Sequence, residues 1–392
     1  MGFLDENVKF TPLEDRIGSQ GMWRLKEICS ENLELMNAGI ILRNNGKLPI
    51  FYKRNLDSNI ECCTIILTEP TTPLIFHAQP GGTFSFMGCF MYQYPKQILT
   101  IEQQVQSYVD AGMEITSYED VEKVLKTIGF YRLRGYSFHL YDNTTKKYVA
   151  GTKFKDIIKL YQFDQELSAL IFSMISKIEV ALRVRLVESL LVHGEPLVLQ
   201  DSSIFKEKKR YWQNMSTVAS EIARSNDVFI KHNFDNHDGE VPVWAAVEVL
   251  SFGTLSKIIK NLKTGTGSSY SILALNYQYK SKKGNLVKPS QKMLASWIQS
   301  VSVLRNMCAH NSRIYNRTIH TTPEILDVDK VVPSPAHNGL YQILLAMKYL
   351  RSSDEEWVTF VAAFDKLIQN NIDVVSLTAM NLPADWKAHL SV

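Results

Sequence analysis

Residues 289–317, PSQKMLASWIQSVSVLRNMCAHNSRIYNR, decide how the chain is read. Pro289 and Ser290 mark a helix start, with the Ser290 hydroxyl placed to accept from a free backbone N–H of the first turn. Leu294, Trp297, Val301, Leu304 and Cys308 then recur at three- and four-residue spacing, an apolar stripe that requires a core to lie on. Beside the stripe stands a cluster that packing does not require: Arg305, Asn306, His310, Asn311, Arg313 and Arg317. A guanidinium binds phosphate oxygens through two parallel N–H groups. An imidazole moves a proton near neutral pH. Together they suit chemistry on a phosphate.

The spacing sets a condition. A five-residue step on an ideal helix turns about 140° and climbs about 7.5 Å, so Arg305 and His310 do not share a helix face. Ser302, Asn306 and His310 do, at steps of four. Either the helix ends near Ala309, or a second copy of the motif supplies the missing half. The second alternative predicts a site shared across a symmetric dimer.

Upstream, residues 154–193 read as one long helix, with Leu160, Phe163, Leu167, Ile171, Met174, Ile178, Leu182 and Leu186 at helical spacing. Glu179 interrupts the edge of this stripe, in line with Ile171 and Ile175. A carboxylate near a core requires a partner, because an unpaired buried charge is expensive. Arg183, four residues on, is the local candidate and Arg305 the distant one.

Other helix starts and stops are equally local. Thr100 with Gln103 forms a capping-box pattern for a helix over about 101–111. Ser117 with Asp120 opens another, closed by Gly129. A helix is expected from Pro242, with Trp244, Val247, Leu250 and Leu255 facing a core and Gly253 permitting a bend or a close helix contact. Two further helices are expected over 339–351 and about 353–370. The first 95 residues differ in texture. A helix is expected over roughly 20–37, followed by strand-like runs KLPIFYK, ECCTIILT, PLIFHA and TFSFMGCFMY broken by Pro and Gly. The expected fold is mainly α, with a small α+β N-terminal extension over 1–95 and a helical region over 96–392.

Three segments suggest contacts to RNA. In FYRLRGYSFHLY, 130–141, aromatics alternate with Arg132 and Arg134, a pattern that offers stacking faces and phosphate contacts, or alternatively packs a core. The run FKEKKRYW, 205–212, is basic with adjacent aromatics and reads as a solvated helix face. YQYKSKKGNLVKPSQK, 277–292, places Lys280, Lys282 and Lys283 ahead of the motif helix, the best basic patch in the chain and one that its order in the sequence would set near the site.

Composition bounds the rest. With 45% hydrophobic and 21% charged residues the chain reads as globular. No uncharged apolar run reaches a membrane span, and the start MGFLDENVKF reads as neither a secretory signal nor a myristoylation site. The five cysteines form no zinc spacing and no even framework, which fits reduced thiols in a cytoplasm. KTGTGSSYS, 263–271, lacks the Gly-Lys-Ser/Thr ending of a phosphate loop. KHNFDNHDGE, 231–240, reads as a loop whose His and Asp residues lack a metal-site arrangement. A net charge of +3 is too small to diagnose a nucleic-acid partner, so local patches carry that argument.

LRNMCAHNSRIYNR, 304–317, resembles the Arg-x-x-x-x-His segment of HEPN-domain ribonucleases, and in its longer form that of the Abi (abortive infection) family of bacterial phage-defence proteins. IGFYRLRGYSFHLY, 128–141, and VPVWAAVEVLSFGTLSKI, 241–258, resemble the same family in the same order; together they cover about 96–380. The resemblance implies a HEPN-like helical bundle with its core at about 154–351. It also implies a metal-independent endoribonuclease without a cofactor, acting as a homodimer with a composite site, with RNA as substrate and an RNA or protein antitoxin as a possible restraint. On that reading Arg305 stabilises the crowded phosphate and His310 is the acid or base. Asn306 and Asn311 orient the imidazole or hold a phosphate oxygen, and Glu179 positions Arg305 or orients His310. Asn311, Arg313, Tyr315, Arg317, Arg132, Arg134 and the three lysines contact flanking RNA. The alternative is an RNA-binding or assembly module that uses the same helices without turnover.

Overall fold

The computed structural model describes residues 98–330 and 339–392, together with the backbone of five strands between 42 and 86. The chain divides into two compact units, Met1–Ile98 and Leu99–Val392. In the first, β1 (Leu42–Asn44), β2 (Leu48–Arg54), β3 (Cys63–Glu69), β4 (Thr72–Ala78) and β5 (Phe84–Phe86) form an antiparallel meander in sequence order. Ile65 of β3 stands between Tyr52 and Phe76 of its neighbours. β2 to β5 coincide with the four apolar runs broken by Pro and Gly, while β1 precedes them and was not expected. The helix expected over 20–37 lies outside the described residues.

The second unit is helical. The Thr100–Gln103 capping box opens α1 (Ile101–Asp110), and Ser117 caps α2 (Tyr118–Ile128) through the Asp120 N–H. Gly129 stops α2 at a φ of +87°, where a side chain would be strained, and α3 (Phe130–Ser137) starts at once in a new direction. A two-residue ladder of β6 (Tyr141–Asp142) and β7 (Lys147–Tyr148) leads into α4 (Phe154–Leu191).

At 38 residues α4 is the axis of the unit, about 57 Å long at the standard rise. Its buried stripe, from Phe154 and Ile157 through Leu167, Ile171, Ile175, Ile178 and Leu182 to Leu190, meets helices from both later parts of the chain. Around it come α5 (Lys208–Ala223), α6 (Val228–Asn236), α7 (Val243–Val249), α8 (Phe252–Asn261) and α9 (Ser269–Leu273). A hairpin of β8 (Tyr279–Lys280) and β9 (Leu286–Val287) precedes α10 (Gln291–Ala309). The chain ends through α11 (Leu340–Leu350), α12 (Asp354–Asn370) and α13 (Trp386–Leu390). The motif helix α10 packs against α4, α8 and α11, and its Leu294, Trp297, Val301, Leu304 and Cys308 are all buried.

Three local expectations change. The stretch after Pro242 is two helices, because Leu250 and Ser251 are extended (ψ 139° and 153°) and the Ser251 hydroxyl accepts from Thr254 N–H to start α8. The break therefore precedes Gly253, which instead lies against α10, with Ser302 Oγ 3.9 Å from where a Cβ would stand. Trp244 is exposed rather than in the core, since Val243 and Val247 occupy the inward face of α7. Part of 231–240, expected as a loop, continues α6 to Asn236.

Candidate functional site

The helix does end at Ala309, as the first of the two alternatives required. His310 is its C-cap, with φ −97° and ψ 15°, and its N–H donates to Asn306 O. Asn311 follows in the left-handed region at φ +50°. Its N–H donates to Cys308 O at 3.1 Å, and Ser312 N–H reaches back to Met307 O at 2.9 Å. Those two bonds satisfy the last carbonyls and turn the chain sharply. Asparagine tolerates this conformation better than most non-glycine residues. His310 is thereby exposed at the tip of a helix whose middle is buried.

Arg305 is half-buried one turn earlier, where α10 crosses α4. Its Nε lies 3.6 Å from Glu179 Oε2, its guanidinium stands 5.7 Å from the Phe172 ring centre, and its Nη1 donates weakly to Asn306 Oδ1 at 3.4 Å. Glu179 Oε1 accepts from Arg183 Nη2 at 2.8 Å. Arg183 also donates to Val247 O and Leu250 O, which fixes the end of α7 to the same point. Both partners proposed for Glu179 are therefore present. The Glu179–Arg183 pair is no solvent-screened surface bridge, since the two side chains are only 10% and 13% exposed. One carboxylate faces two guanidinium groups, so the cluster carries one net positive charge. Arg305 Nε is buried and makes no hydrogen bond among the described residues, so Glu179 holds it by charge.

Asn306 differs from its expected role. Its side-chain oxygen accepts from Arg305, and its backbone carbonyl holds the His310 N–H, so it braces the guanidinium and the backbone rather than the imidazole. Among the described residues nothing hydrogen-bonds the His310 ring.

A residue the sequence reading passed over does the equivalent work beyond His310. Asp164 on α4 is fully buried. Its carboxylate accepts from Tyr315 N–H at 2.7 Å, from Ile314 N–H at 3.1–3.2 Å and from Tyr136 O–H at 2.7 Å. Burial pushes its pKa up, and these hydrogen bonds oppose the shift. Asp164 pins the segment that leaves His310 to the same long helix that carries Glu179. The signal was available: Asp164 lies four residues from Leu160 and from Ser168, inside the buried stripe.

The remaining candidates separate into three groups. Arg132 Nη1 donates to Asn311 O at 2.7 Å, so α3 braces the turn after His310. Arg313 lies over the Tyr136 ring at 5.9 Å and Arg134 over Tyr141 at 5.3 Å. Desolvation first, and Arg317 among the neighbouring charges, lower the pKa of Arg313, which places Arg317 close by. With exposed Asn311 and an almost fully exposed Tyr131 they form a basic and aromatic surface around the end of α10. Tyr315 does not belong to it. It is 2% exposed, packs edge-on against Phe163, and accepts from Ser376 N–H through its hydroxyl. The lysines are not near the site either. Lys280, Lys282 and Lys283 are exposed on the β8–β9 hairpin, whose Tyr279 packs near Trp297, and Lys282 and Lys283 stand beside Met293 at the start of α10. Thirteen residues of helix separate Trp297 from His310, about 20 Å at the standard rise.

Among the described residues no group of His, Cys, Asp and Glu is arranged to hold a metal ion. Cys308 is buried beside this site, and burial pushes its thiol up to about 11. Among the described residues no helix is long and apolar enough to cross a membrane.

Residues 123–316 match the family of Abi-like proteins. The Abi-like segment is narrower than the 96–380 of the resemblance. It nevertheless takes in α3, α4 and α10, the Glu179–Arg305 pair, Asp164 and the turn at His310. It stops before α11, so the helices that close the core behind α10 lie outside it. No curated protein and no solved structure gives a match.

Proposed function

We propose that the Abi-like chain is a metal-independent endoribonuclease of bacterial phage defence, of the abortive-infection or toxin type, with a HEPN-like helical core. The observation that supports this reading is that one short stretch carries both an exposed imidazole at the end of α10 and, five residues earlier, a guanidinium that a buried carboxylate holds in place. RNA brings its own nucleophile, the 2′-hydroxyl beside the scissile phosphate. Its oxygen attacks phosphorus, the bond to the 5′-oxygen breaks, and a 2′,3′-cyclic phosphate and a 5′-hydroxyl result. The attacking oxygen must lose a proton and the departing oxygen must gain one. His310 carries one of these transfers, a role worth roughly 10²–10⁴-fold in rate. Arg305 stabilises the charge that gathers on the phosphate.

Attack and departure occur on opposite sides of phosphorus, and the motif of each chain carries one imidazole, His310, at the end of α10. A homodimer that sets two His310 side chains about one linkage supplies both acid and base, and we take the site to be composite in this sense. On this reading Arg313, Arg317 and Arg132 would supply cations for flanking phosphates and the exposed Tyr131 an open ring for stacking.

The test is cleavage of labelled single-stranded RNA by the purified chain in EDTA. Parent protein is expected to cut and to leave cyclic-phosphate ends. His310→Ala and Arg305→Ala are expected to bind RNA without cutting it. Equal cutting by His310→Ala overturns the assignment. Loss of activity in EDTA, restored by one divalent ion, indicates a metal nuclease. Binding without product from the parent indicates an RNA-binding or assembly module.

A further inference from the structure

A second cleft lies beside the segment that leaves His310. It has a volume of about 300 Å³ and is walled by Leu140 and Val149 on the hairpin side and by Ile157 and Leu160 of α4. Its polar groups are His139, Lys153, Asp156 and Asp373. Asp373 is engaged, since its Oδ1 lies 2.5 Å from Lys159 Nζ. Asp156, half-buried in the first turn of α4, and the exposed Lys153 have no ion-pair partner among the described residues. The cleft is tied to the candidate site from two directions. His139 lies near enough to Arg313 that, after desolvation, that charge lowers its pKa. Val374, which also lines the cleft, is two residues from Ser376, whose N–H donates to the Tyr315 hydroxyl.

We propose that this cleft holds a guanine base of the RNA, which makes it the specificity pocket of the site described above; the inference rests on RNA being the ligand. The lining offers what a flat ring requires: exposed aliphatic carbon from Val149, partly buried Leu140, and the imidazole of His139. The polar groups select which ring. A carboxylate takes two adjacent N–H donors, and guanine is the one common base that presents two, at N1 and N2, beside an acceptor at O6. Asp156 meets the two donors and Lys153 the acceptor. Adenine, cytosine and uracil each place an acceptor against a carboxylate in that register. A free carboxylate here also turns phosphate away, so the backbone stays on the arginines and the base enters.

The experiment is saturation-transfer NMR of the full chain with guanosine, adenosine, cytidine and uridine at equal concentration. Nucleosides report on the cleft without any cleavage, so the result is independent of whether the protein is a nuclease. Guanosine is expected to give a signal at least about threefold above each of the others. Asp156→Asn and, separately, Lys153→Met are expected to remove that excess while the thermal unfolding midpoint stays near that of the parent. A guanosine signal no larger than the rest overturns the proposal. So does a guanosine preference that survives both substitutions in folded protein.

Discussion

Glu179 Oε2 and Arg305 Nε stand 3.6 Å apart where α4 crosses α10. The same carboxylate binds Arg183 at 2.8 Å, so one anion holds two cations from two helices and, through Arg183, the end of α7. Removing one member of a buried pair leaves an uncompensated charge, at a cost of about 3–5 kcal/mol. The partial exposure of Arg305 reduces its share. Glu179→Gln is therefore expected to lower the thermal midpoint by several degrees and to reduce RNA cleavage even at temperatures where the protein stays folded. Circular dichroism melts alongside cleavage rates check this. A variant as stable and as active as the parent means that Glu179 positions nothing.

Asp164 gives a second expectation, with a definite sign. Its folded-state pKa is raised by burial, so the folded chain keeps a proton that the unfolded chain has released. Stability falls as pH rises from the ordinary aspartate value through the raised one, then levels off. Asp164→Asn removes that descent. It also turns an amide N–H₂ toward the donors of Tyr136, Ile314 or Tyr315, at a cost of about 1–3 kcal/mol for each donor left unpaired. Urea midpoints measured against pH for both proteins are expected to show a lower but flatter line for the variant. Parallel lines contradict the account.

Asn311 separates geometry from chemistry. Its backbone sits at φ +50°, which glycine adopts freely and a β-branched residue does not. Asn311→Gly is expected to leave stability and cleavage near the parent. Asn311→Val is expected to lose about 1–2 kcal/mol and most of the activity, because the turn that presents His310 cannot close. Equal activity in the two variants would show that the left-handed turn does not position the imidazole.

Much of this was legible locally. Ser117, Ser290 and Ser353 each cap the helix that follows, because a cap involves a hydroxyl and an N–H three residues away. Glu179 stood out as a charge on an apolar stripe, and both of its partners had been named. Asp164 followed from the same rule and was passed over. Tyr315 misled for a different reason. It lies among arginines in sequence, while its burial depends on Phe163 and Ser376, which no local pattern brings to it. The lysine hairpin adjoins the beginning of α10, and a 19-residue helix carries the chain away from there before His310 is reached.

Cys308 provides a chemical probe of the same region. Its thiol is buried and pushed up to about 11, so almost none is thiolate at neutral pH. Alkylation at pH 8 followed by peptide mass spectrometry is expected to leave Cys308 unmodified in the folded protein and to label it in urea. Rapid labelling of folded protein would mean that the end of α10 opens readily.

Asp164 and Glu179 ride on one unbroken helix, fifteen residues and about 22 Å apart. The guanidinium is tethered to one mark on that rod and the stretch beyond the imidazole to the other. On the proposed function, a tilt of α4 would carry both tethers together. A partner that tilted α4 would then reach the proposed chemistry through these two tethers alone.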